Sequence, residues 1–317
     1  MLLCFFVSGC GCSPEPDTEA AQAEDLNTIR LSIDLWPGYY PAVIAHEKGW
    51  FKEAGLNLIL DMPGDTDKML AQFSAGAIDA VAVAFGDAVL VTRKMPDVAV
   101  ILVTDESAGG DAVLAKTPEV MDSLAGKKIG TNLGGFGELL IREMLEKYGL
   151  DASHVTIMNV DASKVPDMLD AGELDLAHTW SPYVGLAEQK GAKVVFSSAD
   201  TPGLIPDTIA IRGELRVNQP EAIKAFIRVW FQAQAWWLKN MEEGNRLIAD
   251  ATHQRVEDIS LDGIHLMSQV ENIASFSDVD GETGLPNVLT LYNDFYVSRG
   301  ILRRPADKQI LASEFLQ

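Results

Sequence analysis

The stretch Ile29-Arg-Leu-Ser-Ile-Asp34 alternates apolar and polar residues, and the turn after it limits what the chain can become. Alternation with a period of two reads as a strand. Pro37 and Gly38 end it in a turn. Pro41 suits the first turn of a helix, where a missing N–H costs nothing, and Gly49 or Gly55 can stop that helix. Trp36, Tyr39 and Tyr40 therefore fall in a short loop between the carboxyl end of a strand and the start of a helix. Open α/β sheets bind ligands at such loops. The other reading of the three rings is that they cap the strand and pack inward.

The same rhythm continues. Residues 56–61 read as a second strand, and Met62-Pro-Gly64-Asp65 as its turn. Asp65 or Thr66 can cap a helix running to Ala75, which Gly76 ends. Residues 78–84 are almost entirely apolar, as in a parallel strand covered on both faces. That strand ends at Phe85-Gly86-Asp87, before a helix over 88–94 and a strand over 98–104. The pattern breaks at 105–111, and a second round begins with a strand at 127–131. A glycine-rich loop, Asn132-Leu-Gly134-Gly-Phe136-Gly, opens onto a helix over 138–148. Strands at 155–160, 174–178 and 194–197 then alternate with helices at 163–171 and 184–190. Such alternation predicts right-handed βαβ units and an α/β fold. The last third is helix-rich, with helices expected over 220–239, 246–249, 261–273 and 290–298.

Two segments echo each other. Phe73-Ser-Ala-Gly-Ala-Ile-Asp79 and Asp170-Ala-Gly-Glu-Leu-Asp175 both run from a helix through a glycine stop to an Asp at the head of an apolar strand. Each leads to an aromatic just past a strand end, Phe85 in one and Trp180 in the other. Equivalent lobes would bring those rings to one cleft from opposite sides. The alternative is that Gly-x-apolar-Asp is common loop chemistry.

The formal net charge of −21, with no Lys/Arg run, argues against nucleic acid as a partner. Residues 1–9 are apolar and too short to span a bilayer. They end Val7-Ser8-Gly9-Cys10, which resembles the bacterial lipobox; Cys10 would then carry the lipid. No Lys or Arg precedes the apolar run. Residues 10–26, rich in acids and proline, read as a flexible tether. Cys4, Cys10 and Cys12 all precede the expected fold, which leaves it without disulfide or thiol chemistry.

Enzyme motifs fail one by one. His46-Glu47 lacks the second His of a zinc motif, because position 50 is Trp. There is no nucleophile elbow or Walker loop, and the glycines at 134–137 have the wrong spacing for a dinucleotide fingerprint. Asp278-Val-Asp280-Gly281 lacks the far acid of a calcium loop. The sequence therefore predicts binding rather than catalysis, with no cofactor and no metal.

Trp36-Pro-Gly-Tyr-Tyr-Pro-Ala-Val-Ile-Ala-His-Glu-Lys-Gly-Trp-Phe51 resembles the opening signature of the nitrate/sulfonate/taurine-type solute-binding proteins of ABC importers. The superfamily includes binding proteins for thiamine-precursor pyrimidines. The resemblance continues through Gly76-Ala-Ile-Asp79, Trp180-Ser-Pro-Tyr183 and residues 197–203 to Tyr292 and Phe315. It implies a periplasmic-binding-protein-like α/β fold (type II) of two lobes, 27–108 with 208–317 and 109–207. Two crossovers, near 107–112 and 198–207, would form the hinge. It also implies a monomeric extracytoplasmic lipoprotein delivering a small organic solute to a membrane permease. The rivals are a pyrimidine-precursor (thiamine-related) binding protein or enzyme of the same superfamily, the enzyme using its own His and a metal, and a sensor for a membrane signalling protein.

The expected ligand-binding residues are Trp36, Tyr39, Tyr40, Gly64, Asp65, Phe85, Gly86, Asp87, Thr131, Asn132, Gly134, Phe136, Trp180 and Tyr183. The ligand itself stays open between two chemistries. The glycine loop at a helix N-terminus favours an anion. The rings, with Asp65, Asp87, Asp105 and Asp111 and no basic residue in those loops, favour an amine or a heteroaromatic body.

Overall fold

The computed structural model describes residues 27–279, 281 and 283–317. The expected signal segment, the tether and Cys10 lie outside the described residues, as does Asp280. Along the chain the strands are β1 (Thr28–Ser32), β2 (Asn57–Asp61), β3 (Ala80–Ala84), β4 (Ala99–Ser107), β5 (Asp111–Ala115), β6 (Lys128–Thr131), β7 (Thr156–Asn159), β8 (Leu176–Trp180), β9 (Lys193–Ser197), β10 (Pro206–Ile211) and β11 (Ile264–Leu266). The α-helices are α1 (Tyr40–Glu47), α2 (Trp50–Glu53), α3 (Thr66–Ser74), α4 (Phe85–Val91), α5 (Phe136–Lys147), α6 (Val165–Asp170), α7 (Tyr183–Gln189), α8 (Gly213–Asn218), α9 (Pro220–Lys239), α10 (Met241–Thr252), α11 (Gln269–Ser277) and α12 (Leu285–Ser298).

The strands form two sheets built to one plan. The large sheet runs β2-β1-β3-β10-β4-β11 and the small one β7-β6-β8-β5-β9. In each, a parallel trio meets one antiparallel strand, β10 or β5, which pairs antiparallel in turn with β4 or β9. Both inserted strands lie next to a crossing between the sheets. Residues 108–110 join β4 to β5, and residues 198–205 join β9 to β10. The Ser107 and Ser198 hydroxyls meet at 2.8 Å and tie the two crossings together.

The echoed segments prove to be equivalent parts of this plan. Gly76 and Gly172 adopt φ of 78° and 70°, a left-handed stop that other residues resist. Asp79 then accepts from the Arg30 backbone N–H on β1 at 3.0 Å, and Asp175 from that of Lys128 on β6 at 2.8 Å. Each Asp fastens its strand to the next in the trio.

The all-apolar β3 is buried throughout, as a strand covered on both faces must be. Helix α9 packs on α1 and α2, with Trp237 against Tyr40 of α1 at 6.3 Å and Phe226 stacked on Phe51 of α2 at 5.4 Å. The sequence pattern yields no strand for the antiparallel β5 or β10, whose first residues fall in the break at 105–111 and in the crossover at 198–207. Helix α4 begins at Phe85, not at residue 88, because β3 passes into it with no connector. Residues 261–273, expected as one helix, hold β11 and the start of α11, whose Ser268 forms a capping box with Glu271.

Candidate functional site

A cavity of about 430 Å³ opens between the two sheets. That is the size range of small-molecule sites. From the large half it is walled by Asp34, Leu35, Trp36, Tyr39, Gly64, Asp65, Thr66, Asp67, Met69, residues 82–84, Asp87 and Asp207. From the small half come Asp111, Asn132, Phe136, Asp161, Ala162, Ser163, Trp180, Pro182 and Tyr183, and Ile205 joins from the second crossing.

The turn after β1 builds one wall. Asp34 accepts from the Leu35 N–H at 2.7 Å and from the Thr66 hydroxyl at 2.8 Å, which locks the loop to the start of α3. Trp36 donates its indole N–H to Asp105 at 3.0 Å, and Tyr39 donates its hydroxyl to Asp207. Asp105 and Asp207 face each other across β4 and β10. Gly38 lies directly over the Asp105 carboxylate, where a Cβ would come within 1.7 Å of an oxygen. Only glycine permits that approach.

Burial sets the charge of this wall. It pushes Asp105 up to about 7, against the hydrogen bonds from Thr104 and Trp36 that pull it down. Burial, and then the charge of Asp105, push Asp207 well above the ordinary carboxylate range. Asp87, in the first turn of α4, is pushed up to about 7 by burial and by Asp67. A low dielectric disfavours the charged form, and like charges add to that.

The opposite wall is made of rings. Phe136 lies 5.8 Å from Trp180, and both pack against His178 at 5.8 and 5.9 Å. His178 is sealed behind them, bonded to Asp111 at 3.1 Å and to the Thr131 hydroxyl at 3.3 Å. Tyr183 is half-buried, and its hydroxyl is pushed up by burial and by the charges of Asp34 and Asp161, one from each half. Asp161 itself is held below the ordinary range by its hydrogen bonds to Ser163.

Of the residues expected to bind ligand, Trp36, Tyr39, Gly64, Asp65, Asp87, Asn132, Phe136, Trp180 and Tyr183 meet at this cavity. Tyr40, Phe85, Gly86, Thr131 and Gly134 do not. Tyr40 begins α1 and turns back, its hydroxyl bonded to Gln254 at 2.6 Å. Phe85 packs edge-on to Tyr292, and Gly86 admits the Tyr292 and Tyr296 rings. Thr131 is spent on His178. The glycine loop supplies its own anion. Glu138 accepts the Gly134 N–H at 2.9 Å and pairs with Arg142 and Arg299 at 2.7 and 3.0 Å. Burial opposes its charge, but these partners hold it below the usual range. Asp34, Asp67, Asp161 and Asp207 were not singled out by sequence. Asp65 and Asp161 share one signal, an acid capping the turn after the second strand of each trio.

The fold and cleft define a two-sheet α/β protein with a solute-sized cavity between its sheets. The model of the NMT1/THI5-like family matches residues 36–243, and the chain belongs to that family. A protein of Brucella abortus named as a binding protein is 25% identical over 285 residues, covering 86% of each chain. The 4-amino-5-hydroxymethyl-2-methylpyrimidine phosphate synthase of Saccharomyces cerevisiae is 30% identical over 155 residues, 47% of this chain and 45% of its own. Among solved structures, the periplasmic aliphatic sulphonate binding protein of Escherichia coli superposes with a TM-score of 0.73 at 16% identity, covering 90% of this chain and 92% of that one.

Proposed function

We propose that this chain is the extracytoplasmic receptor of an ABC importer, capturing a small organic solute between two lobes. The observation that carries this is one cavity walled from both sheets, with Trp36 on one side and Trp180 on the other. Among the described residues only two short crossings, at 108–110 and 198–205, connect the sheets, so small rotations there would open and close the cleft. The lobes would be 27–108 with 208–317 and 109–207, although Pro206 and Asp207 already pair in the large sheet. The Escherichia coli neighbour's name and the resemblance of Val7–Cys10 to a lipobox support export, and a lipid on Cys10 would hold the receptor within reach of its permease.

The enzyme reading draws on the yeast relative. Against it stands His178, the histidine behind the cavity wall, which is buried under Phe136 with both ring nitrogens engaged. The test is capture. Protein beginning near Asn27 is unfolded to strip any bound molecule, refolded, and exposed to the small-molecule fraction of growth medium. The proposal expects one solute retained unchanged at a ratio of one to one, released only on unfolding or dilution. Chemical conversion of the retained molecule would favour the enzyme instead.

A further inference from the structure

We infer that the solute of this cleft is an organic cation, an ammonium, amidinium or guanidinium carried on an apolar or aromatic body. This rests on the receptor reading and names its ligand class. Seven aspartates line the cavity, and among the described residues lining it there is no Lys, Arg or His. Four of the seven are already engaged: Asp34 by Thr66, Asp65 and Asp161 as caps, and Asp111 by His178. The other three, Asp67, Asp87 and Asp207, all stand on the large half. Among the described residues Asp87, half-buried, has no hydrogen-bond or ion-pair partner, and Asp207, only 5% exposed, has one oxygen on Tyr39 and the other unbonded. Buried carboxylates are ordinarily paired.

The cations of the neighbouring region are spent elsewhere, since Arg142 and Arg299 both serve Glu138. A sulfonate or nitrate entering this cleft would meet unpaired carboxylates and no counter-charge. A bare inorganic cation would leave most of the roughly 430 Å³ unfilled. An organic cation answers both conditions. Its charged group would sit between Asp87 and Asp207, and its body against Phe136, Trp180 and Tyr183, whose faces accept both apolar and cationic groups.

The experiment is a melting and calorimetric series on stripped protein at pH 8, with matched probes. Phenethylammonium is set against phenethyl alcohol, and benzamidinium against benzamide; benzenesulfonate, taurine and nitrate supply the anions. At least one cation should bind at least about tenfold more tightly than its uncharged counterpart, with no shift from any anion. Asp87→Asn should remove about tenfold or more from the cation and leave the uncharged counterpart unchanged. Should that variant fail to fold, Asp67→Asn, on the exposed first turn of α3, is expected to lower cation affinity by a smaller factor. Binding of an anion, preference for the uncharged probe, or no shift from either cation at millimolar concentration overturns the assignment. Failure here with a solute still retained in the capture experiment would leave the receptor standing and the cation discarded.

Discussion

Strands β3 and β8 hold the same place in their sheets, yet the aromatic residues at their ends go opposite ways: Trp180 is the last residue of β8, whereas Phe85 is the first residue beyond β3. Ala84 passes straight into α4, so Phe85 becomes the first helical residue and its ring packs on Tyr292 in the core. After β8, Ser181 and Pro182 delay α7 until Tyr183, and Trp180 stays at the cavity. The ring that ends a strand serves the cleft, and the ring that begins a helix serves the core. Charge divides along the same line. The large half presents Asp87 and Asp207, pushed up by burial, while Asp161 of the small half is held down by Ser163. Among the described residues, one wall offers Asp87 without a partner and Asp207 with one oxygen unbonded, the other a shelf of rings.

Removing each ring separates their roles most sharply. Phe85→Ala should cost about 3–5 kcal/mol of stability by denaturant unfolding, as deletion of a buried ring does. Trp180→Ala should cost far less stability and instead weaken solute binding. A large stability loss in both, with affinity untouched, would erase the distinction.

The charged wall has its own signature in pH. Asp87, Asp105 and Asp207 hold their protons more tightly folded than unfolded. Between about pH 4 and 7 the unfolded chain has lost these protons and the folded one keeps them, so stability falls as pH rises across that window. The stabilisation is fully present below about pH 4, and Asp207 extends its loss past neutrality. In ligand-free protein Asp87 alone should account for up to about 3 kcal/mol of the loss between pH 4.5 and 7.5. Asp87→Asn should flatten part of that slope; a stability that instead climbs with pH would mean these carboxylates are compensated.

Gly38→Ala probes the junction between the turn and the Asp105 carboxylate. The added methyl has no room, so it should displace Trp36 and cost about 1–3 kcal/mol. Unchanged melting would show that the turn has slack. The smallest effect is expected where the halves agree. Asp79→Ala and Asp175→Ala should each cost about 1 kcal/mol: each loses its backbone contact to the neighbouring strand and an ion pair near solvent, with Arg30 or with Lys127. Neither should alter solute affinity.

Much of the architecture was legible because its signals are local. The glycine stops at Gly76 and Gly172, the cap at Asp65 and the apolar run of β3 each follow from a few neighbouring residues. Strands β5 and β10 were not, because they are fully buried and so show no period two, and they pair antiparallel beside the crossings instead of within a βαβ unit. At the site, adjacency misled. Tyr39 and Tyr40 are neighbours in sequence, but the passage from a 3₁₀ turn to α1 sends the first toward Asp207 and the second toward Gln254. The glycine loop looked open to an anion because nothing local reveals that Glu138, four residues on from Gly134, folds back onto its N–H.

The central claim is that one solute touches both walls at once. The most direct test is calorimetric titration of the solute retained in the capture experiment into wild type, Trp180→Ala and Asp87→Asn. If the two walls form one site, both variants lose affinity, each by about tenfold or more. Wild-type affinity in either variant would contradict a site shared between the halves.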